Sequence, residues 1–137
     1  MKLLVTGGTG FFGRALLRSW LRDEVCGVRV PEVTIVTRSP NSFVERYPEF
    51  GSKSWLTLHK SNILDYESLP VDDFFTHILH AATESTVGPS LPALQRYDEI
   101  VNGTRNILDY AVKNNVKRVL LTSSGGVYGP QPDGLEK

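Results

Sequence analysis

The sequence predicts an α/β fold, a doubly wound parallel sheet with helices on both faces. Two observations point there. Short apolar or β-branched runs alternate with stretches of helical period along the chain, the pattern of successive strand–helix–strand units. The first of these units is joined by glycines at positions 7, 10 and 13, a strand, a glycine turn and a helix in immediate succession.

Length and composition bound the rest. At 137 residues the chain fits one domain, long enough to bury ~68% of the surface its unfolded form exposes. Fifteen basic and fifteen acidic residues cancel, so the electrostatic footprint of a nucleic-acid or anionic-membrane binder is missing. The single cysteine, Cys26, excludes an internal disulfide and suits a reducing cytosol; it reads as a small core or loop residue without chemistry. No apolar run approaches the ~20 residues of a membrane helix, and no signal peptide, repeat or metal-ligand cluster is read. The chain is expected to be soluble and cytoplasmic.

Taken in order, Lys2-Leu3-Leu4-Val5 suits a buried strand and Arg14-Ala15-Leu16-Leu17-Arg18-Ser19-Trp20-Leu21-Arg22 an amphipathic helix. Between them lies Thr6-Gly7-Gly8-Thr9-Gly10-Phe11-Phe12-Gly13. Gly7 permits backbone angles closed to other residues, Gly10 lets the main chain approach a pyrophosphate, and Gly13 lets the helix pack closely on the strand. The free N–H groups of the first helical turn then face an anion.

The spacing is Gly-x-x-Gly-x-x-Gly, and with Val5-Thr6 before it the stretch resembles the start of the extended short-chain dehydrogenase/reductase superfamily, the branch of NAD(P)-dependent nucleotide-sugar epimerases and dehydratases. The resemblance implies a Rossmann-type sheet with strand order 3-2-1-4-5. It makes Gly7, Gly10, Phe11, Phe12 and Gly13 cofactor contacts.

After a polar connection over residues 23–32, Val33-Thr34-Ile35-Val36-Thr37 is β-branched throughout, as a buried parallel strand is. Its tip reads Thr37-Arg38-Ser39-Pro40, without the acid that accepts the ribose hydroxyls of NAD. Arg38 and Ser39 suit a ribose 2′-phosphate instead, which favours NADP over NAD; a solvated Arg38 covering the adenine is the alternative. Residues 41–53 read as an irregular crossover with one short helix around Phe43-Val44-Glu45-Arg46-Tyr47, ended by Pro48. The third strand is Trp55-Leu56-Thr57-Leu58-His59.

Ser61-Asn62-Ile63-Leu64-Asp65 resembles the family's turn at the adenine, which implies adenine contacts from Asn62, in place of the usual acid, and Ile63. Asp65 reads equally as an N-cap for Tyr66-Glu67-Ser68-Leu69. The fourth strand and its end, Thr76-His77-Ile78-Leu79-His80-Ala81-Ala82, match the family's His-Leu-Ala-Ala element, which places Ala81 and Ala82 beneath the cofactor. His80 titrates near neutrality, but the reading preferred is a strand-end histidine hydrogen-bonded to backbone. Thr83, Ser85 and Thr86 are candidate contacts at the mouth of the site, and Glu84 reads as solvated.

Residues 91–115 form the longest helical pattern, and within it Asn102-Gly103-Thr104-Arg105-Asn106-Ile107-Leu108 is similar to a family helix. Gly103 costs ~1 kcal/mol against alanine in a helix interior, so a packing reason is expected, close approach to the glycine turn. The family's active-site Asn falls on Ile100, a departure that Asn102 would have to cover. Residues 116–122 are the fifth strand, with Thr122 at its end as a cofactor contact. Ser123-Ser124-Gly125-Gly126-Val127-Tyr128-Gly129 closely resembles the family's Ser-Ser-x-x-Val-Tyr-Gly, which makes Ser124 the catalytic residue that orients the substrate oxygen and leaves Tyr128 structural. The plain reading of the two serines is that they satisfy backbone at a strand end. Where dehydratase relatives carry Asp-Glu this chain has Gly125-Gly126, which argues for epimerisation or keto/alcohol redox over 4,6-dehydration.

The family's chemistry depends on Tyr-x-x-x-Lys, and no tyrosine here has a lysine four residues later. The resemblance therefore implies that residues 1–137 are the N-terminal, cofactor-binding part of a longer protein, with weak cofactor binding and no turnover alone, and that the whole is a homodimer acting on a nucleotide-sugar. An NADP-dependent reductase of another small carbonyl compound, and a non-catalytic dinucleotide-sensing or scaffold protein on the same fold, are the rival readings.

Overall fold

Alternation along the strands divides the core between the two faces of a parallel sheet. A computed structural model of the chain describes residues 1–71, 74–82 and 92–130. Its strands are β1 (Lys2–Thr6), β2 (Glu32–Thr37), β3 (Leu56–Lys60), β4 (His77–His80) and β5 (Arg118–Leu121). They pair in the order β3-β2-β1-β4-β5, all parallel, with β1 at the centre. This is the doubly wound 3-2-1-4-5 sheet that the sequence implies.

Successive side chains of a strand point to opposite faces. Leu3, Val5, Val33 and Ile35 accordingly face one way, joined by Leu17 of α1 (Phe11–Val25), Phe43 of α2 (Pro40–Arg46), Phe50 and Trp55. Leu4, Val36 and Ile78 face the other way, covered by Ile107, Tyr110 and Ala111 of α3 (Ala93–Lys113). Helices on both faces are what buries four successive residues in each of β1 and β2.

Element edges shift by a few residues from the sequence reading, for local reasons. α1 starts at Phe11 with Gly10 as its N-cap, so both phenylalanines belong to its first turn. Strand β3 starts at Leu56; Trp55 precedes it and is buried edge-to-face on Trp20, ring centroids 6.4 Å apart. The short helix before Pro48 is present, and Pro48 opens a 3-10 turn, Pro48–Phe50, that buries Phe50. Asp65 does stand at the N-cap of a further 3-10 turn, Tyr66–Ser68, but its side chain caps nothing; the Ser68 hydroxyl donates to the Asp65 carbonyl at 2.8 Å instead. Cys26 is the exposed C-cap of α1. Among the described residues no helix is long and apolar enough to cross a membrane.

Candidate functional site

In a parallel sheet every strand ends at the same edge, and that edge gathers most of the residues singled out by the sequence. Register places Thr6 beside Val36 on one side and His80 on the other, so the glycine turn leaves the sheet between the ends of β2 and β4. Crevices at this edge are where open parallel sheets bind ligands.

The glycine turn is built by contacts that a side chain would break. Gly7 has φ +71°, and a Cβ there would collide with the Ala81 carbonyl and approach the Ala82 nitrogen at 2.7 Å. The small residues at the end of β4 thus seat the turn itself. Gly13 faces the backbone of Gly8, so it packs the helix onto the turn, not onto the strand as the sequence reading has it. Gly8, which that reading passes over, stands against the side chain of Ile35, 2.7 Å from an added Cβ. Gly10 meets only the Gly7 carbonyl at 3.1 Å and carries no side-chain cap, which leaves the first amides of the 15-residue α1 without an intrahelical acceptor. Phe11 and Phe12 lie edge-to-face there, 76% and 71% exposed, apolar surface open to a ligand.

Beside the turn, at the end of β2, lies an open cavity of about 260 Å³. Arg14, Arg38 and Arg46 line it, with the hydroxyls of Thr37, Ser39 and Ser42. None of its lining residues is acidic. Tyr47 organises the cations: the Arg14 guanidinium donates to its hydroxyl at 2.6 Å, and Arg14, Arg18 and Arg46 stand over its ring at 5.1, 5.9 and 5.7 Å. Arg38 and Ser39 were legible at the strand tip. Arg14, Arg46 and Tyr47 were not, because nothing local in the sequence connects Arg14 with Tyr47, 33 positions on.

The turn after β3 is held from α3. Asn62 is exposed, but its amide oxygen accepts the Leu64 N–H at 3.1 Å, closing the turn locally. Asn106 donates to the Ile63 carbonyl at 2.9 Å, and Gly103 lies under the Ile63 side chain. The close approach expected of Gly103 therefore exists, but to Ile63 and not to the glycine turn. Ile100 is 44% exposed and Asn102 exposed on α3, so Asn102 does not enter the core of the site.

His80 is not bonded through its ring to backbone, as the sequence reading prefers. It is buried, with Nδ1 2.6 Å from the Thr6 hydroxyl and Nε2 3.1 Å from that of Thr104. Burial pushes its pKa below the ordinary value of 6.5, so at neutral pH it is uncharged. Thr122 donates from both its amide, at 3.0 Å, and its hydroxyl, at 3.2 Å, to the His80 carbonyl, which ties the end of β5 to that of β4.

Ser124 is exposed and N-caps the 3-10 turn Gly125–Tyr128, its Oγ accepting the Gly126 N–H at 3.1 Å. That is the backbone role of the plain reading, and it leaves the hydroxyl hydrogen free to donate. Tyr128 closes the turn 84% exposed. Thr83, Glu84, Ser85 and Thr86, expected at the mouth, lie outside the described residues, as do Asp72, Asp73 and residues 131–137.

The cradle of Gly7, Gly10 and Gly13 with helix amides that are unpaired among the described residues, and the arginine-lined cavity next to it, fit a dinucleotide: a pyrophosphate where no Cβ intrudes, and a further anion at the β2 tip.

Comparison with known proteins agrees. The pea "Bifunctional UDP-glucose 4-epimerase and UDP-xylose 4-epimerase 1" is 33% identical over 139 residues, 96% of this chain and 39% of that protein. Cinnamoyl-CoA reductase 1 of Petunia hybrida is 39% identical over 126 residues, 90% of this chain and 35% of that protein. A crystal structure of the dTDP-glucose 4,6-dehydratase DesIV from Streptomyces venezuelae, with NAD and TYD bound, superposes with a TM-score of 0.78 at 29% identity, covering 98% of this chain and 42% of that one. The chain thus spans well under half the length of these relatives. The sequence profile of one family matches residues 3–137 throughout. With the sheet order, the glycine turn and the strand-end residues on the same edge, the chain belongs to the NAD dependent epimerase/dehydratase family, within the extended short-chain dehydrogenase/reductase superfamily.

Proposed function

We propose that this chain is the NADP-binding part of an enzyme that transfers hydride at a sugar carbon of a nucleotide-sugar, by epimerisation or by keto-sugar redox. The observation that carries the cofactor choice is the cavity at the β2 tip: three arginines, with serine and threonine hydroxyls and no carboxylate. An acid at that tip would accept ribose hydroxyls; guanidinium and hydroxyl donors suit a 2′-phosphate. A bound nicotinamide dinucleotide supplies the hydride acceptor or donor.

The chain's own residues do the rest of the holding. The first-turn amides of α1 take the pyrophosphate, Asn62 and Ile63 flank the adenine, and Ala81, Ala82 and Thr122 line the path to the nicotinamide. Ser124, held by Gly126, donates its hydroxyl hydrogen to the substrate oxygen and orients it. These residues are assigned no part in proton transfer, since no tyrosine among them has a lysine four residues later. Among the described residues an added Cβ on Gly125 would meet nothing within 4 Å. The absence of an acid–base pair at Gly125-Gly126 favours epimerisation or redox over dehydration. The whole protein is proposed to be a cytoplasmic homodimer.

A second reading is favoured by the 39% identity to a cinnamoyl-CoA reductase: an NADP-dependent reductase of another small carbonyl compound. Two experiments decide. In the first, NADP and NAD are titrated into the chain before and after Arg38→Ala; NADP affinity is expected to fall about tenfold, one lost charge-assisted contact, with NAD little changed. Unchanged NADP affinity would sink the phosphate clamp. In the second, a protein carrying both this chain and a Tyr-x-x-x-Lys segment is offered UDP-glucose or a cinnamoyl thioester. An epimer formed without net cofactor change supports the first reading, and NADPH consumed by the thioester supports the second.

A further inference from the structure

Thr6 is fully buried at the point where β1 becomes the glycine turn, and its one hydroxyl has more neighbours than hydrogens. The amides of Ala81 and Ala82 both donate to it, at 3.3 and 3.2 Å, and His80 Nδ1 lies 2.6 Å away. A hydroxyl oxygen has two lone pairs and one hydrogen. The two amides occupy the lone pairs, so the hydrogen points at Nδ1. That nitrogen is bare, and the ring proton sits on Nε2, which donates to Thr104 on α3 at 3.1 Å. A chain of hydrogen bonds thus runs from α3 through β4 to β1 and back to the end of β4.

From this geometry we propose that His80 is a positioning residue for the cofactor turn: its Nε2–H tautomer aims the Thr6 hydroxyl, which holds the Ala81–Ala82 backbone against which Gly7 is seated. The inference rests on the dinucleotide reading of that turn. Its force comes from where the chain ends. The Ala81 N–H is shared with the Thr6 carbonyl at 3.1 Å, whereas among the described residues the Ala82 N–H has the hydroxyl alone. A Cβ at Gly7 would already strike the Ala81 carbonyl, so the spacing of turn and strand end has no slack in that direction.

A second ring proton would place an N–H against the Thr6 hydroxyl and turn its hydrogen away, at the expense of one amide. The two groups that the ring bonds to, Thr6 of β1 and Thr104 of α3, carry no charge, and burial is the cause of the lowered pKa. Cofactor affinity therefore depends on pH through His80, weakening as pH falls toward its lowered value.

The test uses the full chain with His80→Asn, whose Oδ1 keeps an acceptor for Thr6, and His80→Leu, which keeps none; Thr6→Ser and Thr6→Val make the same contrast from the other side. Long-range 15N spectra of the wild-type rings are expected to show His80 as the Nε2–H tautomer. Exchange of the Ala82 amide is expected to rise about tenfold in His80→Leu and Thr6→Val, one hydrogen bond's worth, and to stay near wild type in His80→Asn and Thr6→Ser. Affinity for NADP and NAD should follow the same order. For NAD, which has no 2′-phosphate to titrate, it should weaken in wild type as pH falls toward the lowered value of His80 and stay flat in His80→Asn. An Nδ1–H tautomer, or His80→Asn losing Ala82 protection as far as His80→Leu does, would overturn the proposal. If wild type binds neither dinucleotide, the cofactor reading fails, and the tautomer and exchange results still decide the hydrogen-bond chain.

Discussion

Two glycines with nearly the same backbone angle show what a residue-scale argument has to include. Gly7 has φ +71° and Gly27 has φ +73°, both in the left-handed region that L side chains avoid. An added Cβ at Gly27 meets nothing within 4 Å, whereas at Gly7 it strikes the backbone of Ala81. Gly27→Ala is therefore expected to cost only the backbone term, about 1 kcal/mol, and Gly7→Ala at least about 2 kcal/mol. Urea unfolding with unchanged m-values measures both; equal costs would mean that the turn does not rest on β4. Sequence context was enough to pick out Gly7, since a strand precedes it and a helix follows. Nothing in the sequence marks Gly8 as the neighbour of Ile35, because that contact joins separate strand–helix units.

At the scale of an element, α3 illustrates a conflict between propensity and packing. Gly103→Ala gains about 1 kcal/mol of helix propensity, yet the new methyl would stand 2.6 Å from Ile63 Cδ1 and 3.0 Å from Cγ1. Overpacking of this kind costs about 1–3 kcal/mol, so the single substitution is expected to be destabilising or at best neutral. Ile63→Val removes Cδ1, and in that background Gly103→Ala should become stabilising, a coupling of about 1 kcal/mol or more in a double-mutant cycle. Additive effects would mean that the helix gains its close approach elsewhere. The adenine-side turn then owes its position to α3 twice, through Gly103 and through the Asn106 bond to the Ile63 carbonyl. The helical pattern was visible in the sequence; which strand end it braces was not, because Ile63 and Asn106 are 43 residues apart.

For the whole molecule, stability should fall with pH in two steps. The unfolded chain binds a proton at His80 near its ordinary 6.5, whereas the buried ring resists it. The unfolded state then holds more protons, so this contribution is complete above about pH 6.5 and is lost as pH falls toward the lowered folded value. The slope is at most about 1.4 kcal/mol per pH unit. Glu24, whose carboxyl the Lys53 ammonium at 3.0 Å holds below its ordinary 4.5, adds a further loss below about pH 4.5. Urea midpoints taken at pH 8, 6.5 and 5.5 on wild type and His80→Asn check the first step, which should be missing from the variant. A wild-type midpoint that does not move would contradict a buried neutral ring.

Across these scales the sequence determined what depends on neighbours along the chain. Short apolar runs separated by helical periods sufficed for the α/β class, and the glycine spacing with its flanking strand and helix sufficed for the turn and, by resemblance, the family and sheet order. The missing acid after Thr37 also stood in plain view. Tertiary structure decided what depends on residues brought together by the parallel crossovers. Thr6 meets His80 across 74 positions, Arg14 meets Tyr47 across 33, and His80 meets Thr104 across 24. A parallel sheet needs a long crossover between neighbouring strands, so its shared carboxyl edge gathers side chains that no local pattern connects. That is why the cradle of this site was legible in one dimension, and the hydrogen bonds and cations that equip it were not.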